Sequence, residues 1–255
     1  MLKSTERFTS RVENYVKYRP GYPPAVLDLL KAECRLTPAS VIADIGSGTG
    51  ILTRMFLEHG NRVYGVEPNQ AMREAGEQLL ADYPGFVSIA ATAEETTLPD
   101  QSIDVITAGQ AFHWFDLART RPEFARILKP GGWLVLIWNS RRESPTGFQA
   151  AYEQFLKTYG TDYGNVNHTN LDRDDFQAFY NPGSYRLTHF DNQQVFDFDG
   201  LKGRLLSSSY APEPDHPNFA PMLTDLRRLF DAHQVDGVVT IEYNTEVFYG
   251  QLAAG

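Results

Sequence analysis

Short apolar runs alternate with amphipathic stretches along the first half of the chain. Val41, Ile42 and Ile45 form a β-branched run that suits a strand covered on both faces. It meets Gly46-Ser47-Gly48-Thr49-Gly50, after which Ile51, Leu52, Met55 and Phe56 recur on one helix face up to a stop at Gly60. Arg62 to Val66 predicts a second strand ending at Glu67-Pro68, followed by a helix carrying Ala71, Met72, Ala75, Leu79 and Leu80. Phe86 to Ala90 predicts a third strand, the run ending at Ala108 a fourth, and Trp133 to Trp138 a fifth. A short helix from Pro122 to Leu128 and a turn at Lys129-Pro130-Gly131-Gly132 precede the fifth. Another helix, from about Pro24 to Ala32, precedes the first strand. Strand and helix in strict alternation imply a parallel sheet with right-handed crossovers.

The second half is less regular. Phe148, Tyr152, Phe155 and Leu156 mark a helix from Phe148 to Tyr159. Tyr163 to Tyr185 lacks clear periodicity and is read as part of a lid or substrate wall. The pattern then predicts a strand from Tyr185 to Phe198, helices from Leu201 to Tyr210 and Phe219 to His233, and a last strand from Val238 to Phe248. With no repeats and no clean linker, one domain over 1–255 is the simplest division. It comprises an N-terminal covering segment (1–35), a core (40–140) and a cap or substrate region (141–235) with closing strands near 185–198 and 238–248.

Composition narrows the function. A net charge of -9, with Lys and Arg scattered, argues against a nucleic-acid partner. The single cysteine, Cys34, allows neither a disulfide framework nor a zinc set and reads as a packed thiol. No apolar run approaches the roughly 18 residues of a membrane span, and no signal peptide is apparent, so a cytoplasmic location is the default expectation.

The chemistry gathers at strand ends. Glycines at 46, 48 and 50 let the backbone turn sharply and approach a ligand. Their spacing differs from the G-x-G-x-x-G of dinucleotide enzymes. Glu67 stands 17 residues beyond Gly50 at the end of its strand, where an acid can accept both ribose hydroxyls of a nucleoside. Upstream, Phe8 to Pro24 is dense in tyrosines, whose broad faces can cover a ligand or dock the segment onto the core. After the fourth strand, Gln110-Ala111-Phe112-His113-Trp114 offers His113 as a proton acceptor and Trp114 as a ring for adenine or a cationic sulfur; packing roles are the other reading of both.

Asp44-Ile-Gly-Ser-Gly-Thr-Gly50 resembles the first motif of the class I S-adenosylmethionine-dependent methyltransferases. Leu98-Pro99 with Asp104, and Leu128-Lys-Pro-Gly-Gly132 before a strand, resemble later segments of the same family. The resemblance covers about residues 40 to 138, with the tyrosine segment a looser match. It implies an α/β fold: a Rossmann-like, seven-stranded, mostly parallel sheet with helices on both faces, closed by an antiparallel pair and carrying an embedded helical cap. It implies S-adenosylmethionine as cofactor and S-adenosylhomocysteine as product. The residues it marks for the cofactor are Tyr15, Tyr18, Arg19, Asp44, Gly46, Ser47, Gly48, Glu67, Pro68, Ala93, Glu94, Gln110 and Ala111, with Arg19 pairing the methionine carboxylate. His113 and Trp114 fall beside the acceptor.

The mechanism implied is direct displacement by an O, N or C nucleophile, in which the protein supplies alignment and excludes water. A carboxylate or enolate acceptor needs no base; for a protonated one, His113, His168, His189 and Asp116 are candidates. The absence of an Asn-Pro-Pro-Tyr phrase after the fourth strand favours a small-molecule acceptor, and the chain looks similar to the menaquinone and trans-aconitate group. An NAD(P)-linked oxidoreductase and a non-catalytic binding protein are the alternatives.

Overall fold

The computed structural model describes residues 11–161, 163 and 173–252. Phe8 and His168 lie outside them. The framework is a sheet of seven strands: β1 (Val41–Ile45), β2 (Arg62–Val66), β3 (Phe86–Ile89), β4 (Ile103–Gly109), β5 (Leu128–Arg141), β6 (Tyr185–Phe196) and β7 (Val239–Gln251). Their spatial order is β3-β2-β1-β4-β5-β7-β6. β1 to β5 pair in parallel, and β7 runs antiparallel to both β5 and β6. The seven-stranded, mostly parallel sheet implied by the sequence is the one observed.

Strand order reverses between β1 and β4, and in such sheets ligands bind beyond the carboxyl ends of the strands at that reversal. Alternation along the strands splits the core into two layers. Ile42, Val105, Val135 and Ile137 face α2 (Pro24–Glu33) and α3 (Ile51–Glu58), whose Val26, Leu30, Leu52 and Phe56 are buried there. Ala43, Ile106, Leu134 and Leu136 face α5 (Leu117–Ile127) and α7 (Arg173–Tyr180) through Phe124, Ile127, Phe176 and Phe179. The helix α4 (Gln70–Leu79) crosses from β2 to β3, opened by Asn69, whose side chain accepts the Met72 amide.

A third cluster lies past the end of the parallel sheet. β6 and β7 continue as a long antiparallel ribbon, and α6 (Gly147–Tyr159), α8 (Phe198–Leu206) and α9 (Phe219–His233) pack on it through Leu156, Leu201, Leu226, Ile241 and Tyr243. α1 (Val12–Tyr18) lies against α8.

Several boundaries differ from the sequence reading; β5 and β7 run on to Arg141 and Gln251, β6 stops at Phe196, and three further differences have a local cause. α5 starts at Leu117, five residues before Pro122, because the Asp116 carboxylate accepts the Ala118 and Arg119 amides and caps it there; Pro122 sits inside the helix. The Lys129 to Gly132 turn is a bulge in the β4–β5 ladder, which pairs Ile103 with Leu128 and then Val105 with Trp133. The helix expected from Leu201 to Tyr210 is α8, beginning at Phe198 under an Asp197 cap and ending at Leu206.

Candidate functional site

The loop after β1 is built by its glycines. Gly46, Gly48 and Gly50 have φ of +69°, +57° and +87°, a region that costs any other residue strain. At Gly46 a side chain is excluded outright, since a Cβ would lie 2.6 Å from that of Ala111. The Gly46 and Ser47 amides both donate to the Val66 carbonyl, at 2.8 and 3.1 Å, which ties the loop to the end of β2.

Glu67 continues that tie. It is 8 % exposed, and its two oxygens accept the Gly48 and Asn69 amides, each at 2.8 Å. Burial raises its pKa and these bonds oppose the rise. Each carboxylate oxygen keeps a further acceptor position, so a hydroxyl pair can still bind. Asp44 is more enclosed, at 1 % exposure, and its oxygens accept the hydroxyls of Thr53 at 2.6 Å and Thr107 at 2.9 Å. Burial pushes its carboxyl up to about 6 against those bonds.

Two connected chambers open at the strand ends. The first is walled by Gly48, Glu67, Pro68, Ala93, Glu94 and Ala111, among others. The second is walled by Arg19, Asp44, Ser47, His113, Arg141, Arg204 and Tyr210. Tyr15, Gly46, Gly109, Gln110 and Trp114 belong to both and form the passage between them. Gln110 holds a left-handed backbone at φ +57°, its amide donating to the Ile137 carbonyl and its side chain to the Asn139 carbonyl at 3.3 Å. A strained non-glycine residue at a cavity junction is a common mark of function.

All but one of the sequence-marked residues therefore border one continuous cavity. The exception is Tyr18, whose ring lies against Gly203 of α8, so close that a Cβ there would be 2.0 Å from it. Tyr18 joins the cap cluster instead. Its neighbour Arg19 does reach the second chamber, its guanidinium over the Tyr15 ring at 4.7 Å and donating to the Ser207 carbonyl at 2.8 Å. Glu94 accepts the Asp116 amide at 2.9 Å, so this acid also steadies the start of α5. His113 stands in a single 3-10 turn (Phe112–Trp114), its ring 4.8 Å from that of Trp114. Of the other base candidates, Asp116 is engaged as a helix cap and His189 lies on β6, exposed and outside the cavity.

Sequence reasoning missed most of the second chamber. Tyr22, whose hydroxyl packs where a Gly109 side chain would be, belonged to the tyrosine-rich segment already noted. Asn139, Arg141, Arg204 and Tyr210 carried no local signal. Asn139 is the joint of this region: its side chain accepts the Thr245 hydroxyl at 2.6 Å and the Asn192 amide at 3.1 Å, and donates to the Gly21 carbonyl at 3.1 Å.

Among the described residues no acidic, histidine or cysteine cluster is arranged to hold a metal, and no helix is long and apolar enough to cross a membrane.

Residues 43–136 match a family described as "Methyltransferase domain". An uncharacterized methyltransferase of Mycobacterium tuberculosis is 44 % identical over 137 residues, 53 % of each chain, so the match spans about half the length of that relative. One from Schizosaccharomyces pombe is 26 % identical over 94 % of this chain and 96 % of its own. Among solved structures, a candidate type II methyltransferase of Anaeromyxobacter dehalogenans superposes with a TM-score of 0.70 at 22 % identity, covering 93 % of this chain and all of that one. A methyltransferase of Geobacter sulfurreducens, solved with S-adenosylhomocysteine, gives 0.54 at 19 % identity, covering 97 % of this chain and 98 % of that one. The glycine loop, the sheet order and the family match agree: residues 43–136 match a methyltransferase domain, and the fold around them is similar to that of S-adenosylmethionine-dependent methyltransferases.

Proposed function

We propose that the protein transfers the methyl group of S-adenosylmethionine to a small-molecule acceptor by direct displacement. The observation that carries this reading is the Glu67–Gly48 unit beside the left-handed glycine loop, opening into a second chamber through Gln110 and Trp114. In this reading Glu67 accepts the ribose hydroxyls, Pro68, Ala93 and Glu94 border the adenine, and Gly46, Ser47 and Gly48 take the backbone contact. Asp44 faces the ammonium of the methionine moiety, and Arg19, with Tyr15 beneath it, pairs the carboxylate. Ala111 borders the cofactor, and the passage lined by Gln110 and Trp114 would open from the methyl group toward His113.

When bound, the cofactor supplies an activated leaving group. The protein's part is to align the acceptor, keep water out and place charge. Titration calorimetry with S-adenosylmethionine and S-adenosylhomocysteine tests the reading: micromolar binding of both is expected, and no binding of either would sink it.

A further inference from the structure

Three guanidinium groups from distant parts of the chain line the second chamber: Arg19 after α1, Arg141 at the end of β5 and Arg204 in α8. Arg204 is 5 % exposed, and the side chains it donates to are neutral hydroxyls, Tyr243 at 3.3 Å and Ser208 at 3.0 Å. Arg141 donates to the Tyr163 hydroxyl at 2.5 Å and the Tyr210 hydroxyl at 3.3 Å, with one carboxylate, Glu153, at 3.5 Å. The Nε atoms of Arg19 and Arg141 are buried with no hydrogen-bond partner among the described residues.

Hydroxyls and carbonyls orient a guanidinium without cancelling its charge. Enclosing three such groups with a single carboxylate partner is costly, and a fold that keeps them so holds a positive excess that a ligand can neutralise. Asp44 also borders the chamber, but its hydrogen bonds are to Thr53 and Thr107 and it forms no ion pair with the three guanidinium groups among the described residues. Tyr210 reports the resulting field. Burial would raise its pKa, but Arg141 and then Arg204 bring it down to about 8.

We propose that this chamber is the acceptor subsite and that it takes a small organic acid, a carboxylate of which sits between Arg141 and Arg204 with the Tyr210 hydroxyl donating to it. The proposal rests on the cofactor reading above, which leaves Arg19 to the cofactor's own carboxylate. Arg141 and Arg204 then act as binding and positioning groups. They set which acceptors enter and turn the reacting atom toward Gln110 and Trp114.

The test uses the full chain saturated with S-adenosylhomocysteine, titrated calorimetrically with benzoate, succinate and citrate, each beside its neutral amide, and with inorganic phosphate. At least one acid is expected to bind tenfold or more tightly than its amide. Arg141→Met and Arg204→Met should each weaken that acid at least tenfold while S-adenosylhomocysteine affinity stays within threefold, and Arg141→Lys should recover part of the loss. The acid-to-amide comparison needs no variant, so it stands even if Arg204→Met fails to fold. Equal binding of acids and amides, tighter binding of phosphate than of every acid, or acid binding unchanged in both methionine variants would overturn the proposal. Failure of S-adenosylhomocysteine itself to bind would instead remove the cofactor reading, and this inference with it.

Discussion

Glu67 Oε2 lies 2.8 Å from the Gly48 amide nitrogen, so the acid ending β2 and the middle glycine of the neighbouring loop form one hydrogen-bonded unit. In the proposed function this side chain would bind the ribose as well as hold the loop, so its removal is expensive. Glu67→Ala should weaken S-adenosylmethionine at least tenfold, since a hydrogen bond to a charged group is worth roughly 1.5–3 kcal/mol. Calorimetry decides it, and an unchanged dissociation constant would detach Glu67 from the cofactor.

The glycines of the loop separate strain from crowding. At Gly46 and Gly50 a Cβ would meet Ala111 Cβ at 2.6 Å and Leu80 Cδ1 at 2.5 Å; at Gly147 the backbone is equally left-handed, φ +74°, but nothing lies within 4 Å. Gly147→Ala should therefore cost only the conformational penalty, about 1–2 kcal/mol. Gly46→Ala and Gly50→Ala should exceed it in urea denaturation because overpacking adds about 1–3 kcal/mol more.

Asp44 sets a pH dependence. Its folded carboxyl titrates at about 6, whereas an unfolded aspartate does so near 3.9. Between those values the folded chain holds a proton that the unfolded chain has lost, so stability falls as pH rises across that window, by on the order of 3 kcal/mol. Asp44→Asn should melt above the parent protein at pH 7.5 and show a flatter dependence from pH 4 to 6. A lower melting temperature at pH 7.5 would contradict this.

His113 is best tested with the acid acceptor in hand. For a polycarboxylic acceptor whose reacting group is a second carboxylate, that group has already lost its proton, so His113→Gln should keep kcat within about tenfold of the parent, less than the 10²–10⁴ that general acid–base catalysis contributes. A loss beyond a hundredfold that follows the titration of an imidazole would give His113 the proton-transfer role instead.

Tyr180 supplies a stability check away from the cavity. Its buried hydroxyl is 3.1 Å from the Leu134 carbonyl of β5 and 3.2 Å from the Phe248 carbonyl of β7. It bonds these carbonyls from above the sheet, so Tyr180→Phe should cost about 0.5–1.5 kcal/mol with no change in cofactor affinity.

The glycine loop and its flanking acids were legible because they are local. Asp44, the glycines and Glu67 fall within 24 residues, and strand and loop physics fixes their spacing. Tyr18 was misplaced because a tyrosine two residues before a proline reads alike whether it turns toward a ligand or, as here, onto Gly203. α7 went unread although Phe176, Phe179 and Tyr180 keep helical spacing, since the Asn, Asp and Gly around them masked it. The arginines of the second chamber come from positions 19, 141 and 204, and only the folded cap brings them together. No periodicity links residues so far apart.

Asn139 joins Gly21 to Asn192 and Thr245, so the wall of the cavity is stitched from the opening and closing stretches of the described chain. The glycine loop, Glu67 and β1 to β4 all precede Asn139 in the chain, while the pocket's far side depends on β7. A chain ending before Thr245 would thus keep the sequence of the glycine loop and Glu67 but lack a partner that anchors the joint of the second chamber.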